Sequence, residues 1–223
     1  MTLKMIVSLL VFLSSALAWA SSSNVQVMKA PQDIVYEGTS EHNRMDKQYS
    51  LNLVALGFGP SVATSSGVNA GLFLDRNNLL ELEYVSGRPL TIDWGNSYDH
   101  LDSKTSSFGV HLKHFAGNSF YVRGGLDYRM ADYDYTYNYS STDKGESKFN
   151  GDSIAATVII GNQWQWQNFT LGCDWIGVAL PITSQVKSES VVGDKPYYFE
   201  KDKDTLLKKT ATVLLRLYAG ASF

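Results

Sequence analysis

Leu215-Arg216-Leu217-Tyr218-Ala219-Gly220-Ala221-Ser222-Phe223 is the stretch of sequence that decides the fold. Its residues alternate in character, which is typical of a β-strand because successive side chains point to opposite faces. One face carries Val213, Leu215, Leu217, Ala219 and Ala221, and the other carries Thr212, Leu214, Arg216, Tyr218, Gly220 and Ser222. The pattern predicts a strand with one apolar face.

This strand runs into a carboxy-terminal phenylalanine, an ending that is typical of the strand that closes a barrel in a bacterial outer membrane. The barrel assembly machinery recognises such a strand. We therefore predict an assembly signal at Leu215, Leu217, Tyr218 and Phe223.

A secretory signal peptide is predicted over residues 1–20. It has a positively charged start, an apolar run over 5–17 and the cleavage site Ala18-Trp19-Ala20. The apolar run is shorter than the roughly 20 residues that a spanning helix needs. We expect residues 21–47 to be a periplasmic lead-in segment, because they are polar and lack strand alternation. The barrel itself is expected over 48–223.

Composition narrows the class of protein further. The formal net charge of −3 argues against a nucleic-acid-binding protein. Cys173 is the single cysteine, so an intramolecular disulfide is excluded. No segment after residue 20 has 18 apolar residues in succession, which argues against spanning helices. A closed barrel is then the remaining way to satisfy every backbone group in lipid.

Eight strands are predicted, an even number as expected for a single-chain bacterial barrel. They lie near 49–58, 66–75, 79–87, 105–115, 119–130, 152–163, 168–180 and 208–223. Short turns alternate with long polar segments at 88–104, 131–151 and 181–207, apart from a brief connection at 59–65. Short periplasmic turns and long external loops are the outer-membrane pattern, so both termini are expected in the periplasm. The predicted fold class is therefore all-β, an up-and-down antiparallel transmembrane barrel.

The faces of the strands predict which side chains meet lipid. Leu80 and Leu82 alternate with Glu81 and Glu83. An Arg or Lys facing the middle of the bilayer costs about 2–4 kcal/mol, so the charged set must face the lumen, opposite to a soluble lipid-binding barrel. In the seventh strand the predicted lipid face carries Phe169, Leu171, Cys173 and Trp175, and the opposite face carries Thr170, Gly172, Asp174 and Ile176.

The predicted lumen residues form a structural network of paired charges. The interior of an eight-stranded barrel is just wide enough for its own side chains, and buried charges require partners. An ion pathway and a catalytic carboxylate pair are the alternatives. The proposed network consists of Glu81, Glu83, His111, Lys113, Arg123, Asp127, Arg129, Asp174 and Arg216.

No catalytic motif or cofactor-binding motif is recognisable, so no catalytic residue and no cofactor are expected. His111 and His114 are three residues apart, which on a strand places them on opposite faces. A shared metal ion is therefore not expected.

Residues 48–223 resemble the small eight-stranded outer-membrane barrels of the OmpA/OmpX type. The resemblance rests on the strand at 79–87, on Gly161-Asn162-Gln163-Trp164 with Trp166 in the following turn, and on 215–223. It implies a structural or surface-interaction protein, not an enzyme. Its implied partners are outer-membrane lipids and lipopolysaccharide, the barrel assembly machinery and a surface ligand at the loops.

Two other functions stay open. Outer-membrane acyl transferases and deacylases resemble this chain in size and barrel form, and they use a His with a Ser or an acid. Here the candidates are His100 with Ser97, Ser103 or Asp99. A narrow channel is the third hypothesis, and it requires the lumen charges to leave an aqueous path.

Overall fold

The computed structural model describes residues 38–58, 64–88, 99–138, 144–193 and 199–223. The predicted signal peptide and residues 21–37 of the predicted lead-in segment lie outside these ranges, as does most of the predicted connection at 59–65. In chain order the elements are α1 (Ser40–Arg44), β1 (Tyr49–Phe58), β2 (Thr64–Asp75), β3 (Asn78–Arg88), β4 (Asp99–Phe115), β5 (Phe120–Asn138), β6 (Lys144–Trp166), β7 (Phe169–Val192), α2 (Phe199–Leu207) and β8 (Ala211–Ser222).

The eight strands form one closed antiparallel barrel. Each strand pairs with its neighbours in the sequence, and β8 returns to pair with β1. At the closure, the backbone N–H groups of Gln48 and Tyr49 donate to the carbonyl oxygen of Phe223 over 2.9 and 2.8 Å. The predicted all-β, eight-stranded barrel is confirmed. Neither of the two described helices has the length and apolar character needed to cross a bilayer.

The strands differ in length in a way that the sequence pattern did not predict. β1, β2, β3 and β8 have 10 to 12 residues, whereas β4 to β7 have 17 to 24. The prediction of 88–104, 131–151 and 181–207 as loops is therefore wrong for much of their length. We call residues 99–104, 132–138, 144–150 and 188–192 the strand extension. Residues 99–104 continue β4 beyond its last pair with β3, and the other three segments are those paired in succession with it across β5, β6 and β7.

The polarity of the wall is inverted relative to a soluble barrel. In β3, Leu82 is 48% exposed on the outer surface, whereas the neighbouring Glu81 is 0% exposed inside. The same alternation holds along the other strands. The outer surface carries an apolar belt that includes Leu51, Leu53, Val68, Leu72, Leu80, Leu82, Val110, Leu112, Val122, Leu126, Val158, Ile160, Val178, Leu180 and Leu217.

Two bulges change which side chains face outward, and they correct the predicted faces of β7 and β8. Near Trp175 the pairing of β7 with β6 skips one residue, so Ile176 is exposed on the outside, not inside as predicted. In β8, Leu215 has a φ of 47°, unusual for a residue other than glycine, and the pairs with β7 skip it. As a result Leu214 is exposed outside, whereas Val213 lines the interior.

Cys173 is a further correction to the predicted lipid face. It is buried, whereas Trp175 is exposed as predicted. The Trp175 indole N–H donates over 2.8 Å to the side chain of Asn162, the cross-strand partner of Cys173. The indole therefore extends beside Cys173 and contributes to its burial.

Candidate functional site in the barrel lumen

The centre of the lumen is a cluster of ion pairs between strands that are far apart in the sequence. Arg216 donates to both carboxylate oxygens of Glu83, over 2.8 and 3.1 Å, and its Nε donates to Asp174 over 2.6 Å. Arg123 also donates to Glu83 over 2.9 Å and to Asp174 over 3.4 Å. All four side chains are buried. Each carboxylate is shared by two guanidinium groups, so removal of any one member leaves an uncompensated charge.

Lys113 extends the cluster toward the end of the barrel that carries the short turns, which we call the turn end. Its ammonium nitrogen donates to Glu81 over 2.7 Å, to Gln163 over 3.0 Å and to the Tyr218 hydroxyl over 3.2 Å. Arg123 joins the two groups, since its Nη1 lies 3.5 Å from Glu81. An ammonium group has three N–H donors, and Lys113 has an acceptor for each.

Tyr121 and Tyr218 belong to this cluster, although they are not among the predicted network residues. Tyr121 donates to Asp174, and the Lys113 ammonium lies 4.5 Å from the centre of its ring. Gly172 provides the space for Tyr218, because a Cβ atom at that position would lie 2.0 Å from the Tyr218 ring. The sequence could have predicted both tyrosines, because Tyr121 lies two residues from Arg123 and Tyr218 lies two residues from Arg216, and residues two apart on a strand face the same side.

His111, Asp127 and Arg129 lie toward the other end, which we call the extension end. His111 Nε2 is 3.2 Å from Asp127 Oδ1, although the N–H is not aligned for a hydrogen bond. Thr157 also donates to Asp127, and Ser107 does so over 3.3 Å. The predicted lumen residues are thus all buried. Lys113, Arg123 and Arg216 each pair with carboxylates, His111 lies beside Asp127, and Arg129 forms no ion pair within the described structure.

The helix α1 closes the turn end of the lumen. Arg44 is completely buried, and its guanidinium donates to the carbonyl oxygens of Arg76, Gly117 and Asn118 over 3.2, 3.2 and 2.6 Å. The guanidinium also lies 3.8 Å from the centre of the Phe115 ring. Burial lowers the pKa of Arg44 from 12.5 to about 10, so the group stays charged at neutral pH.

The rest of α1 is tied to the end of β6. Asn43 donates to the Gln165 carbonyl oxygen over 3.0 Å, and the Gln165 N–H donates to the Ser40 hydroxyl over 3.1 Å. The side chain of Thr39 caps the helix by accepting from the N–H of His42. Part of the predicted lead-in segment is therefore an ordered cap, and it contacts three hairpin turns.

The helix α2 covers the extension end from inside. Phe199, Leu206 and Leu207 are buried against Ala131, Tyr133 and Phe149 of the barrel wall. Tyr133 stacks on Phe149 with ring centres 5.0 Å apart, and Phe199 meets both rings edge-on. The helix lies within the predicted last loop, which corrects that prediction.

Polar contacts fix the position of α2. The Tyr133 hydroxyl donates to Asp202 over 3.0 Å, and Lys203 pairs with Glu189 and Glu200 over 2.7 Å each. Burial, together with the nearby Asp202, raises the pKa of Tyr133, and burial raises the pKa of Asp202. The Tyr133–Asp202 pair is therefore partly removed from water.

Within the described ranges no cluster of His, Cys, Asp and Glu has the geometry of a metal site. His111 is buried and His114 is exposed, so they lie on opposite faces as their spacing predicted. Of the residues in the enzyme hypothesis, Ser103 is buried, whereas Ser97 and the side chains of Asp99 and His100 lie outside the described structure.

The residues of the predicted assembly signal divide between the two faces of β8. Leu215 and Leu217 are exposed on the outer surface and Phe223 is exposed beyond the end of the strand. Tyr218 is buried in the lumen cluster.

Comparison with known proteins places the fold. No protein-family model and no curated protein matches the sequence. A major outer membrane protein from Thermus thermophilus is similar in structure, with a TM-score of 0.54 at 14% identity over 79% of this chain and 98% of that one. Ail, the attachment invasion locus protein of Yersinia pestis, has a TM-score of 0.50 at 11% identity over 80% of this chain and 100% of its own. At such identities the likeness is one of fold.

Proposed function

We propose that this chain, which has the fold of the small eight-stranded outer-membrane barrels, is itself an integral outer-membrane protein with a structural or surface-interaction role. The turn end of the barrel then faces the periplasm, together with both termini, and the strand extension faces the outside. The predicted signal peptide is the feature of the sequence that would direct export.

One observation carries the proposal, namely the inverted polarity of the wall. The outward side chains of β3, such as Leu80 and Leu82, are apolar and exposed, whereas the charges of the same strand are inside and buried. Contiguous exposed apolar surface of this kind is costly in water. A bilayer removes that cost, and a closed barrel leaves no unpaired strand edge within the hydrocarbon.

The lumen cluster supports a structural role over a channel. Lys113 bonds to both Glu81 and Tyr218 across the interior, and the side chains of Lys113 and Glu81 have no exposed surface. Arg216, Glu83 and Asp174 form a second cross-connection. With α1 seated below, the proposed protein does not conduct ions.

The surface-interaction role is assigned to the strand extension. Its outward side chains carry both signs of charge, for example Lys148, which pairs with Asp134 over 3.0 Å and with Glu146 over 2.5 Å. Just below it, Lys187 pairs with Asp152 over 2.9 Å. Lysines at this level match the phosphates of lipopolysaccharide, which we propose as a partner beside a surface ligand at the loops.

The last strand is also proposed as the contact for the barrel assembly machinery. Leu217 and Phe223 present apolar surface outward, where another protein can reach them. Tyr218 is accessible only before the barrel closes, because the finished lumen buries it. Under this proposal the tyrosine acts in the unclosed intermediate.

The proposal is tested by membrane fractionation followed by gel electrophoresis of unheated and boiled protein. The expected result is a band in the outer-membrane fraction that migrates differently after boiling, because a closed barrel resists detergent until heated. Planar-bilayer recordings of the purified protein are expected to show no steady conductance. A soluble periplasmic protein without a heat-dependent band would overturn the membrane assignment, and steady conductance would overturn the closed lumen.

The proposed orientation has its own test. Protease added to intact cells is expected to cut the chain in the connections at the extension end and to leave the short turns intact. Cleavage at the turn containing Arg76 in intact cells, with the extension protected, would show the reverse orientation.

A further inference from the structure

We infer that the extension half of the lumen holds a binding site for a small carboxylate with a short apolar tail, and that Arg129 is the group that pairs with the carboxylate. The site lies above the cluster of Arg123, Arg216 and Glu83 and is separate from the proposed surface of the extension. It is therefore independent of the surface-interaction role.

Arg129 is the residue that requires an explanation. It is only 7% exposed, and its Nη1 atom has no hydrogen-bond partner within the described structure. No ion pair of Arg129 occurs there either. A guanidinium group stays charged in proteins, and a buried charge without a partner is strongly unfavourable. A ligand of opposite charge would remove that cost.

The acidic side chains nearby are already engaged. Asp127 accepts hydrogen bonds from Thr157 and Ser107 and lies 3.2 Å from His111. Glu83 is held by Arg123 and Arg216. Asp127 attracts Arg129 only at longer range, since no hydrogen bond or ion pair links the two. Of the buried arginine and lysine side chains on the described strands, Arg129 is thus the one without an ion pair.

A cavity lies beside these groups. Its volume is about 60 Å³, several times the roughly 10–15 Å³ that one water molecule requires on this measure. A ligand of a few heavy atoms fits this space.

The lining of the cavity indicates the chemical class of the ligand. Arg129, His111 and Thr157 provide polar groups on one side, and the apolar part of the wall consists of Val85, Ile159, Ala179, Ala211 and Val213. A carboxylate matches the planar guanidinium, which donates two parallel hydrogen bonds, and a short alkyl tail matches the aliphatic wall. A free phosphate is polar on every side, so it would make no favourable contact with the aliphatic wall.

The test is calorimetric titration of the purified full chain in detergent micelles with sodium butyrate, at constant ionic strength. Saturable binding with a Kd in the millimolar range is expected, and chloride alone is expected to bind more weakly. Arg129→Gln should weaken butyrate binding by about tenfold or more, since it removes a charge-assisted hydrogen bond. Lys104→Gln, which removes an exposed positive charge from the strand extension, is the matched control and should leave the Kd unchanged.

A second variant keeps the test valid if Arg129→Gln does not fold. Ala211→Leu fills the apolar side of the cavity and retains Arg129, and it is expected to abolish butyrate binding. Absence of saturable binding to the wild-type chain, or equal affinity in Arg129→Gln, would overturn the site. Chloride binding as tight as butyrate binding would overturn the assignment of a carboxylate with an apolar tail. None of these outcomes bears on the fractionation experiment.

Discussion

Arg216 and Glu83 form a bidentate ion pair across the lumen, although they are 133 residues apart and lie on strands that do not pair with each other. The pair bridges β8 and β3 without following the sheet. It can form only when the barrel has closed, and it therefore stabilises the closed form over any open sheet.

Arg216→Met is expected to destabilise the barrel by about 3–5 kcal/mol, the usual effect of leaving buried charges without their partner. Glu83 and Asp174 would then share Arg123 alone. The measurement is equilibrium unfolding in urea in lipid vesicles. The double variant Arg216→Met with Glu83→Leu should lose less than the sum of the two single variants. Additive losses would show that the two side chains are not coupled.

Leu82→Arg tests the depth of the apolar belt. Leu82 is 48% exposed on the outer surface of β3, and an arginine facing mid-bilayer costs about 2–4 kcal/mol. The substitution is expected to destabilise the folded protein in vesicles by that amount, measured as a decrease in the free energy of unfolding. Ser188→Arg is the matched control, because Ser188 is also exposed but lies in the strand extension. Equal effects of the two substitutions would contradict the proposed position of the membrane.

Arg44→Ala is expected to release α1 from the turn end. The substitution removes three hydrogen bonds to backbone carbonyl oxygens and the contact with Phe115, and each hydrogen bond from a charged group contributes about 1.5–3 kcal/mol. Hydrogen exchange of the amides of Asn43 and Met45 should become faster. Asp46→Ala, an exposed position just after the same helix, is the control. Unchanged exchange in Arg44→Ala would show that α1 is held by its other contacts.

Phe199→Ala should loosen α2. Truncation of a buried phenylalanine costs about 3–5 kcal/mol, and the ring contacts both Tyr133 and Phe149. Limited proteolysis of the intact protein is expected to cut α2 faster, whereas Lys208→Ala, an exposed position just after the helix, should leave the rate unchanged. Equal rates in the two variants would contradict the assigned packing.

The pH dependence of α2 docking depends on Asp202. Burial raises its pKa, so its contribution to docking is complete below its ordinary pKa and is lost as the pH rises through the raised value. Hydrogen exchange of α2, corrected for the intrinsic rate, should therefore be slower at acidic than at neutral pH. Asp202→Asn should remove this dependence, and Asp204→Asn, at a neighbouring site, should retain it. Persistence of the dependence in Asp202→Asn would assign it to another group.

Much of the fold could be predicted from alternation, because in every strand of a membrane barrel the outward side chains are apolar and the inward side chains are polar. The apolar Leu82 next to the charged Glu81 is sufficient to predict which face of β3 points outward. The bulges at Trp175 and Leu215 could not be predicted, since an extra residue changes the parity of a strand without a compositional signal. The strand extension was missed for a related reason, because outside the membrane both faces of a strand tolerate polar residues and the segment resembles a loop.

The lumen residues could be identified, but their partners could not. Parity places Arg123 and Arg216 inside, whereas their common contacts with Asp174 depend on the stagger of strands around the barrel. The two caps gave no periodic signal, because α1 has five residues and α2 follows a long polar segment. The unpaired state of Arg129 likewise follows from three-dimensional placement and not from its position in the sequence.

The contacts of Arg44 have a consequence for the order of folding. Its acceptors belong to the hairpin turns that follow β2 and β4, and Asn43 bonds to the end of β6. These turns are adjacent only when all the hairpins have assembled side by side. The segment that carries α1 is synthesised before the barrel, yet its docking site forms last. Protection of the α1 amides from hydrogen exchange therefore shows that assembly of the barrel is complete.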